Sequence, residues 1–331
     1  MLRFRIGILF AGLTILSIPI LYSQTEAWQR INPIPVESSL MDISLLPDNR
    51  IIAVGSGATV IYSDNFGNDW EIIYVPDNIS KTVEFNRVDF ADNLHGMAVG
   101  SYYSIIKTDD GGESWTDISP GADLPYFNYT DVCYSDEWNC FVAGVHYAES
   151  FLLHTSDNGL TWDTSFHNSE RTFSRVQFID EITGFLSGGD SNYYYKTRDA
   201  GENWEKINVD PGIEGLNLGF SYFVDAYTGF YGATVGDMSN WDHVILKTTD
   251  GGQSWYQVFF DGFAGAREFF FLDHDTGYAI SPIVWYQNDI LKTTDGGETW
   301  TIIDDHIGRW SIWGSNGLYQ HGWSWYRHYP W

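Results

Sequence analysis

The chain has 331 residues, 17 Lys+Arg against 44 Asp+Glu, and a formal net charge of −27. So acidic a protein lacks the basic face that nucleic acid or an anionic membrane surface demands. With 15 Trp, 33 Gly and 17% aromatic residues it is too aromatic for a disordered acidic tail, and too rich in Gly and Trp for a helical bundle.

Residues 1–5 carry Arg3 and Arg5, residues 6–20 (IGILFAGLTILSIPI) are almost wholly apolar, and Tyr22-Ser23-Gln24 follows. This reads as a secretory signal peptide over 1–23, cleaved near Ser23. An uncleaved anchor is the alternative, although about 15 apolar residues are short for a span. No cysteine stands near the boundary to take a lipid, and no later apolar run is long enough to cross a bilayer. The remainder, 24–331, is read as one exported domain (periplasmic, cell-surface or secreted) without membrane insertion and monomeric.

An eight-residue box then recurs along the chain. It reads S-D-N-F-G-N-D-W at 63–70, T-D-D-G-G-E-S-W at 108–115 and T-S-D-N-G-L-T-W at 155–162. It returns as T-R-D-A-G-E-N-W at 197–204, T-T-D-G-G-Q-S-W at 248–255 and T-T-D-G-G-E-T-W at 293–300. The box tryptophans, Trp70, Trp115, Trp162, Trp204, Trp255 and Trp300, are 45, 47, 42, 51 and 45 residues apart. A second pattern precedes most boxes: a Phe, x-Asp, three loop residues, Gly and an apolar residue, as in F-A-D-N-L-H-G-M from Phe90 and F-I-D-E-I-T-G-F from Phe178. Short β-type runs between Gly/Asp/Asn turns mean antiparallel strands. Strand one ends at the Phe, and a turn with a left-handed Gly leads to strand two. A variable loop reaches strand three, and the box turns into strand four. A four-stranded unit of this length, repeated, is a propeller blade.

The expected fold is therefore all-β, a seven-bladed propeller of four-stranded antiparallel blades, with six blades and frayed termini as the alternative. Six units carry boxes; the segment from Arg309 supplies three more strands, and the N-terminal strand 28–31 completes this C-terminal blade beside 325–328 and closes the ring. Closure removes the exposed edges that would otherwise aggregate. Two cysteines, Cys133 and Cys140, stand seven apart around an expected hairpin in C-Y-S-D-E-W-N-C. An exported protein permits a disulfide between them; two buried thiols are the other arrangement.

In each box the acidic residue, Asp110, Asp157, Asp199, Asp250 or Asp295, accepts backbone N–H groups within the turn, with Asn65 in its place in the first copy. The Trp buries a large ring. These turns are too short for a Ca²⁺ loop of the EF-hand kind. The six boxes resemble the bacterial neuraminidase repeat, or Asp-box, shared by sialidases, xyloglucanases, sortilin-type receptors and the photosystem II stability/assembly factors. The pairing of F-x-D-x-x-T-G with K-T-T-D-G-G-x-T-W is most similar to the last of these. That resemblance implies a seven-bladed, exported propeller and covers residues 28–328; such repeats are scaffold and carry little about function.

Catalytic signatures are sparse. No arginine triad with a Tyr–Glu pair can be assigned, the nine His are scattered, and there is no H-E-x-x-H, G-x-S-x-G or P-loop. No cofactor or metal is expected. Boxes and strand one–two turns lie on one face; strand two–three loops and interblade loops form the other, more variable face, where function is expected. That face holds Tyr102 and Tyr103, His146 and Tyr147, Tyr193 and Tyr194, Trp241 and His243, and Trp285 and Tyr286. Such rings suit sugars or a partner peptide, and packing of the loops is the other use for them. Three residues before the Phe of strand one stand Asp42, Arg87, Asp131, Arg175, Phe220, Glu268 and Arg309. This reads as a charged ring of mostly alternating sign at the channel mouth, serving either interblade ion pairs or ligand reading. The reading is a non-catalytic module that binds a protein through the variable face; a glycoside hydrolase or sugar-binding propeller using the aromatic face is the alternative.

Overall fold

The structure is a computed structural model, and it describes residues 5–6, 36, 38–120, 128–170, 173–188, 192–237, 240–261, 266, 268–282 and 288–304. Among these residues there are six sheets, each with four consecutive strands in antiparallel order. Blade 1 comprises Leu40–Leu45, Ile51–Gly55, Thr59–Ser63 and Glu71–Ile73. The first strands of blades 2 to 6 are Phe85–Phe90, Asn128–Tyr134, Arg175–Phe178, Leu216–Phe223 and Glu268–Phe271. Blade 1 has a fifth strand, Arg5–Ile6, antiparallel to Leu40–Leu45.

The expectation of seven blades is overturned: the described residues form six. Each of these blades is built around one box, and the sequence after Asp304 contains no further box. Arg309 and the segments 28–31 and 325–328, on which the seventh blade and the ring closure rested, lie outside the described residues.

Each box is a hydrogen-bonded clasp. The hydroxyl that opens it accepts the amide of the fifth residue at 2.8–3.0 Å in all six copies. The acidic residue's Oδ1 accepts the amide of the seventh residue at 2.8–2.9 Å in boxes two to six. In the first box Asn65 Oδ1 does the same for Asp69, at 2.9 Å. The fourth and fifth residues are both left-handed, as at Gly251 and Gly252 (φ 73° and 91°), which explains the G-G and N-G pairs. The fourth residue's amide is held by a carbonyl of the strand one–two turn at 2.8–3.0 Å in blades 2 to 6. Boxes and turns therefore form one face together. On the other face, interblade segments bond to strand two–three loops, as in Ala58 N to Val83 O (2.8 Å) and Ser101 N to Glu84 O (2.9 Å).

The glycine opening strand two is needed for space and not for a left-handed turn. A Cβ on Gly96, Gly184, Gly229 or Gly277 would stand 2.5–2.7 Å from the ring of the Phe closing strand one. That Phe meets the box Trp edge-on, with centroids 6.0–6.2 Å apart for Phe90–Trp115, Phe178–Trp204, Phe223–Trp255 and Phe271–Trp300. Between blades the residue after the glycine, or after Cys140 in blade 3, stacks on the next blade's Phe: Phe141 on Phe178 at 4.3 Å, Phe185 on Phe223 at 3.6 Å and Phe230 on Phe271 at 4.9 Å.

Inner strands are latched side chain to backbone. Asp42 accepts the Val88 amide (3.0 Å), Asp89 that of Tyr134 (2.8 Å) and Asp131 that of Val176 (2.9 Å). Cys133 Sγ accepts the Phe178 amide at 3.2 Å and Gln177 Oε1 that of Phe223 at 2.9 Å. Each latch runs from one blade to the next, and buried strand amides that would lack a partner at a sheet-to-sheet seam gain one.

The disulfide is corrected as well. Cys140 lies opposite Tyr134 and Cys133 opposite Phe141 in the ladder, so the two thiols leave opposite faces of the sheet. Cys133 packs between blades 3 and 4 and Cys140 between blades 2 and 3; both are buried and no disulfide joins them.

Candidate functional site

Strand one begins at the variable face and lines the channel. Its early residues in blades 2, 4 and 6 converge there. Arg175 Nη1 donates to Glu268 Oε2 at 2.9 Å, and Arg175 Nη2 is bonded to Glu268 Oε1. Arg87 Nη2 donates to the same Oε1 at 3.2 Å. One carboxylate thus ties two guanidiniums from non-adjacent blades. Arg87 Nε also stands 3.7 Å from Asp131 Oδ1, and Arg87 Nη1 donates to Asn86 O at 3.0 Å. The Arg175 guanidinium lies 4.6 Å above the Phe220 ring. Burial works against the Arg175 charge, but Glu268, Asp131 and Asp42 outweigh it and raise its pKa. Such a cluster, partly sealed from water, fixes blades relative to one another, its two guanidiniums balanced by the carboxylates of Glu268, Asp131 and Asp42.

The aligned charges pair both between neighbouring blades, Arg87 with Asp131, and across the channel, Glu268 with Arg87 and Arg175. Asp42 and Asp131 are buried latches, while Glu268 reaches across the channel to Arg87 and Arg175. Sequence alignment found the position, but pairing distance depends on the channel's width, which sequence does not reveal.

The variable-face aromatics divide. Tyr102 and Tyr147 are 59% and 88% exposed. Both sit in two-residue hairpin turns with φ of 55° and 54°, and Tyr103 beside the first has φ 61°. Asn-Gly is the sequence such turns favour, and a tyrosine there costs about 1–2 kcal/mol per residue. Tyr103 is half-buried against the cluster of blades 2 and 3, and His146 meets the Tyr147 ring at 4.4 Å. Tyr193 carries Lys206 Nζ 3.4 Å above its ring. Tyr194 and His243 are buried, so neither presents a ring to a ligand. The Tyr194 hydroxyl donates to Gly251 O at 3.3 Å, and burial raises its pKa. Trp241 lies on the strand Asn240–Thr248. Trp285, Tyr286 and Arg309 lie outside the described residues.

Among the described residues no three His, Cys, Asp or Glu side chains gather as a metal would require. The box carboxylates Asp157 and Asp295 are held at about 2 by the hydroxyls of Thr161 and Thr299 and by backbone amides. They are turn-building groups and not candidate acids. Sequence reading missed Arg50, whose Nη1 reaches Asp110 O at 3.4 Å and whose Nη2 is bonded to Asn93 O, seaming blade 1 to blade 2. A lone Arg after a P-D-N turn gave no signal of that role.

The family model for "Photosynthesis system II assembly factor YCF48" matches residues 20–126 and 75–166. A stretch of 129 residues is 32% identical to the photosystem II assembly lipoprotein Ycf48 of Synechococcus sp. (strain CC9902), covering 37% of this chain and 36% of that protein. A stretch of 176 residues is 26% identical to the chloroplastic photosystem II stability/assembly factor HCF136 of Oryza sativa subsp. japonica, covering 51% of this chain and 39% of that protein. The matches thus span well under half the length of these relatives. A solved structure described as YCF48 bound to D1 peptide superposes with a TM-score of 0.65 over 86% of this chain and 88% of that one, at 19% identity, which speaks for the fold. The chain is an Asp-box β-propeller that resembles the photosystem II stability/assembly factors.

Proposed function

We propose that this chain is an exported, non-catalytic propeller that captures a segment of a partner protein on its variable-loop face and serves as an assembly module. The observation that carries the reading is the exposure of Tyr102 and Tyr147 on neighbouring blades, on turns whose backbone disfavours tyrosine. Backbone strain held at an exposed aromatic calls for a use of that side chain. Arg87 and Arg175 stand in the channel of the same propeller, where a peptide carboxylate would share their guanidinium N–H groups with Glu268. A propeller of this fold is described bound to a peptide, and one relative is named a lipoprotein, which fits a protein ligand and an exported location. A sugar would use the same tyrosines, so the test sets the two ligands side by side.

Peptide and glycan arrays probed with the mature protein are expected to yield peptide hits and no glycan hits. A Tyr102→Ala/Tyr147→Ala variant should weaken the best peptide about tenfold or more. Unchanged peptide binding would remove the face from the reading. Turnover of a chromogenic glycoside that is abolished by one carboxylate substitution would replace it with an enzyme. N-terminal sequencing of the exported protein is expected to begin at or next to Gln24.

A further inference from the structure

The strand one–two turns carry an observation that neither the boxes nor the variable face uses. Leu94, Trp138, Ile182 and Tyr227 occupy the same turn position in blades 2 to 5 and are 49%, 56%, 54% and 67% exposed. Each amide donates to the aspartate two positions earlier, at 2.6–2.9 Å. Each carbonyl accepts from the box of its own blade, at 2.8–3.0 Å. With both backbone groups pinned, the side chain has only solvent to enter.

The fold does not require an apolar residue there. Blade 6 makes the same two bonds at Asp275, whose amide donates to Asp273 at 2.9 Å and whose carbonyl accepts from Gly296 at 2.8 Å. The repeated hydrophobes are therefore surplus to folding. Strand one is the innermost strand, so these four side chains stand around the channel's rim on the box face, opposite the mouth at which strand one begins. Large hydrophobes repeated around one rim mark an interaction surface.

We infer that this rim docks a cationic amphipathic segment of a partner protein. Its apolar side chains would cover the four hydrophobes, and its lysines or arginines would meet the carboxylates between them. The turns themselves supply that charge: Glu137 precedes Trp138, Glu181 precedes Ile182, and both are exposed. A second copy of the chain would bring another net charge of −27 to the same face, and an anionic bilayer would be repelled likewise. The surface lies on the face opposite Tyr102 and Tyr147 and stands whether or not those tyrosines bind anything.

The test uses the full chain and a synthetic Lys/Leu amphipathic helix of about 18 residues, five turns long. The triple variant Trp138→Ser/Ile182→Ser/Tyr227→Ser keeps every charge, so it separates docking from bulk attraction to an acidic protein. Calorimetric titration is expected to show binding to the parent and at least about a tenfold loss in the triple variant. Melting should be unchanged, because the turn bonds are backbone and aspartate only. Tyr102→Ala/Tyr147→Ala should retain the parent's affinity for this probe. A triple variant that binds as tightly as the parent overturns the inference. So does equal binding of a Glu/Leu helix, or concentration-dependent dimerisation of the parent that the triple variant abolishes.

Discussion

The two faces of the propeller are made from the same four-stranded units and differ in how much of their backbone is repeated. On the box face one clasp recurs six times, with the same left-handed pair and the same hydroxyl-to-amide bond. The clasp's hydroxyl and acidic side chain are satisfied inside each blade, while the indole N–H donates to the box's own glycine carbonyl at Trp70 and Trp115 and lacks a partner at Trp162, Trp204, Trp255 and Trp300. On the variable face the backbone is particular to each blade. Gly57-Ala58, Tyr102-Tyr103 and Tyr147 turn with positive φ, and two arginines depend on a glutamate from a distant blade. Positive φ at non-glycine residues occurs on both faces, at Phe66, Asn158 and Ala200 in the boxes and at Ala58, Tyr102, Tyr103 and Tyr147 in the variable loops, but among the described residues only the variable loops place tyrosines there.

The largest way to break this contrast is at Gly100. A Cβ there would stand 2.2 Å from the Glu84 carbonyl oxygen, where the interblade segment crosses strand two. Gly100→Ala is expected to lose about 3 kcal/mol in urea denaturation; a loss under about 1 kcal/mol would show that the crossing can relax. Next comes the channel. Arg175→Ala should cost about 2 kcal/mol after allowance for the cluster's partial exposure. Adding Glu268→Ala should recover part of that loss, and the double-mutant cycle measures the coupling. Strict additivity would mean that the cross-channel bonds hold nothing together.

On the box face the sign of the pH dependence is fixed. Asp157 and Asp295 have folded pKa values of about 2, below the roughly 3.9 of an unfolded aspartate. Their stabilisation is therefore full above about pH 4 and is lost as pH falls through about 2. Carboxyl NMR titration should give midpoints near 2, and midpoints above about 3.5 would contradict the clasp. The smallest effect has the opposite sign. Tyr102→Asn/Tyr103→Gly installs the preferred hairpin pair and is expected to raise stability by about 1 kcal/mol while weakening peptide binding. A destabilised variant would deny the strain at this turn.

The blades were legible because their hallmarks are local. A hydroxyl, an acidic residue, a glycine and a tryptophan within eight positions specify one turn, and the spacing of six tryptophans specifies the repeat. What failed was set by parity or by distance across the fold. Cys133 and Cys140 are one register step from facing each other, and one step sends a side chain to the other face. The seventh blade was inferred from strand-like runs without a box, and strand propensity alone does not clasp a blade. The glycine before Phe185 resembles a turn residue until the Phe178 ring is found lying over it. The charged positions are visible when the units are aligned, but that Glu268 reaches Arg87 and Arg175 from non-adjacent blades depends on tertiary geometry. The exposure of Leu94, Trp138, Ile182 and Tyr227 cannot be read from the turn pattern, which leaves their position unspecified.

The cross-channel carboxylate also orders events in time. Glu268 follows Arg175 by 93 residues and Arg87 by 181. During synthesis, blades 2 and 4 are therefore complete long before the anion that reconciles their two guanidiniums leaves the ribosome. A chain cut short before the sixth blade lacks that carboxylate and retains Asp131 as the acid beside Arg87.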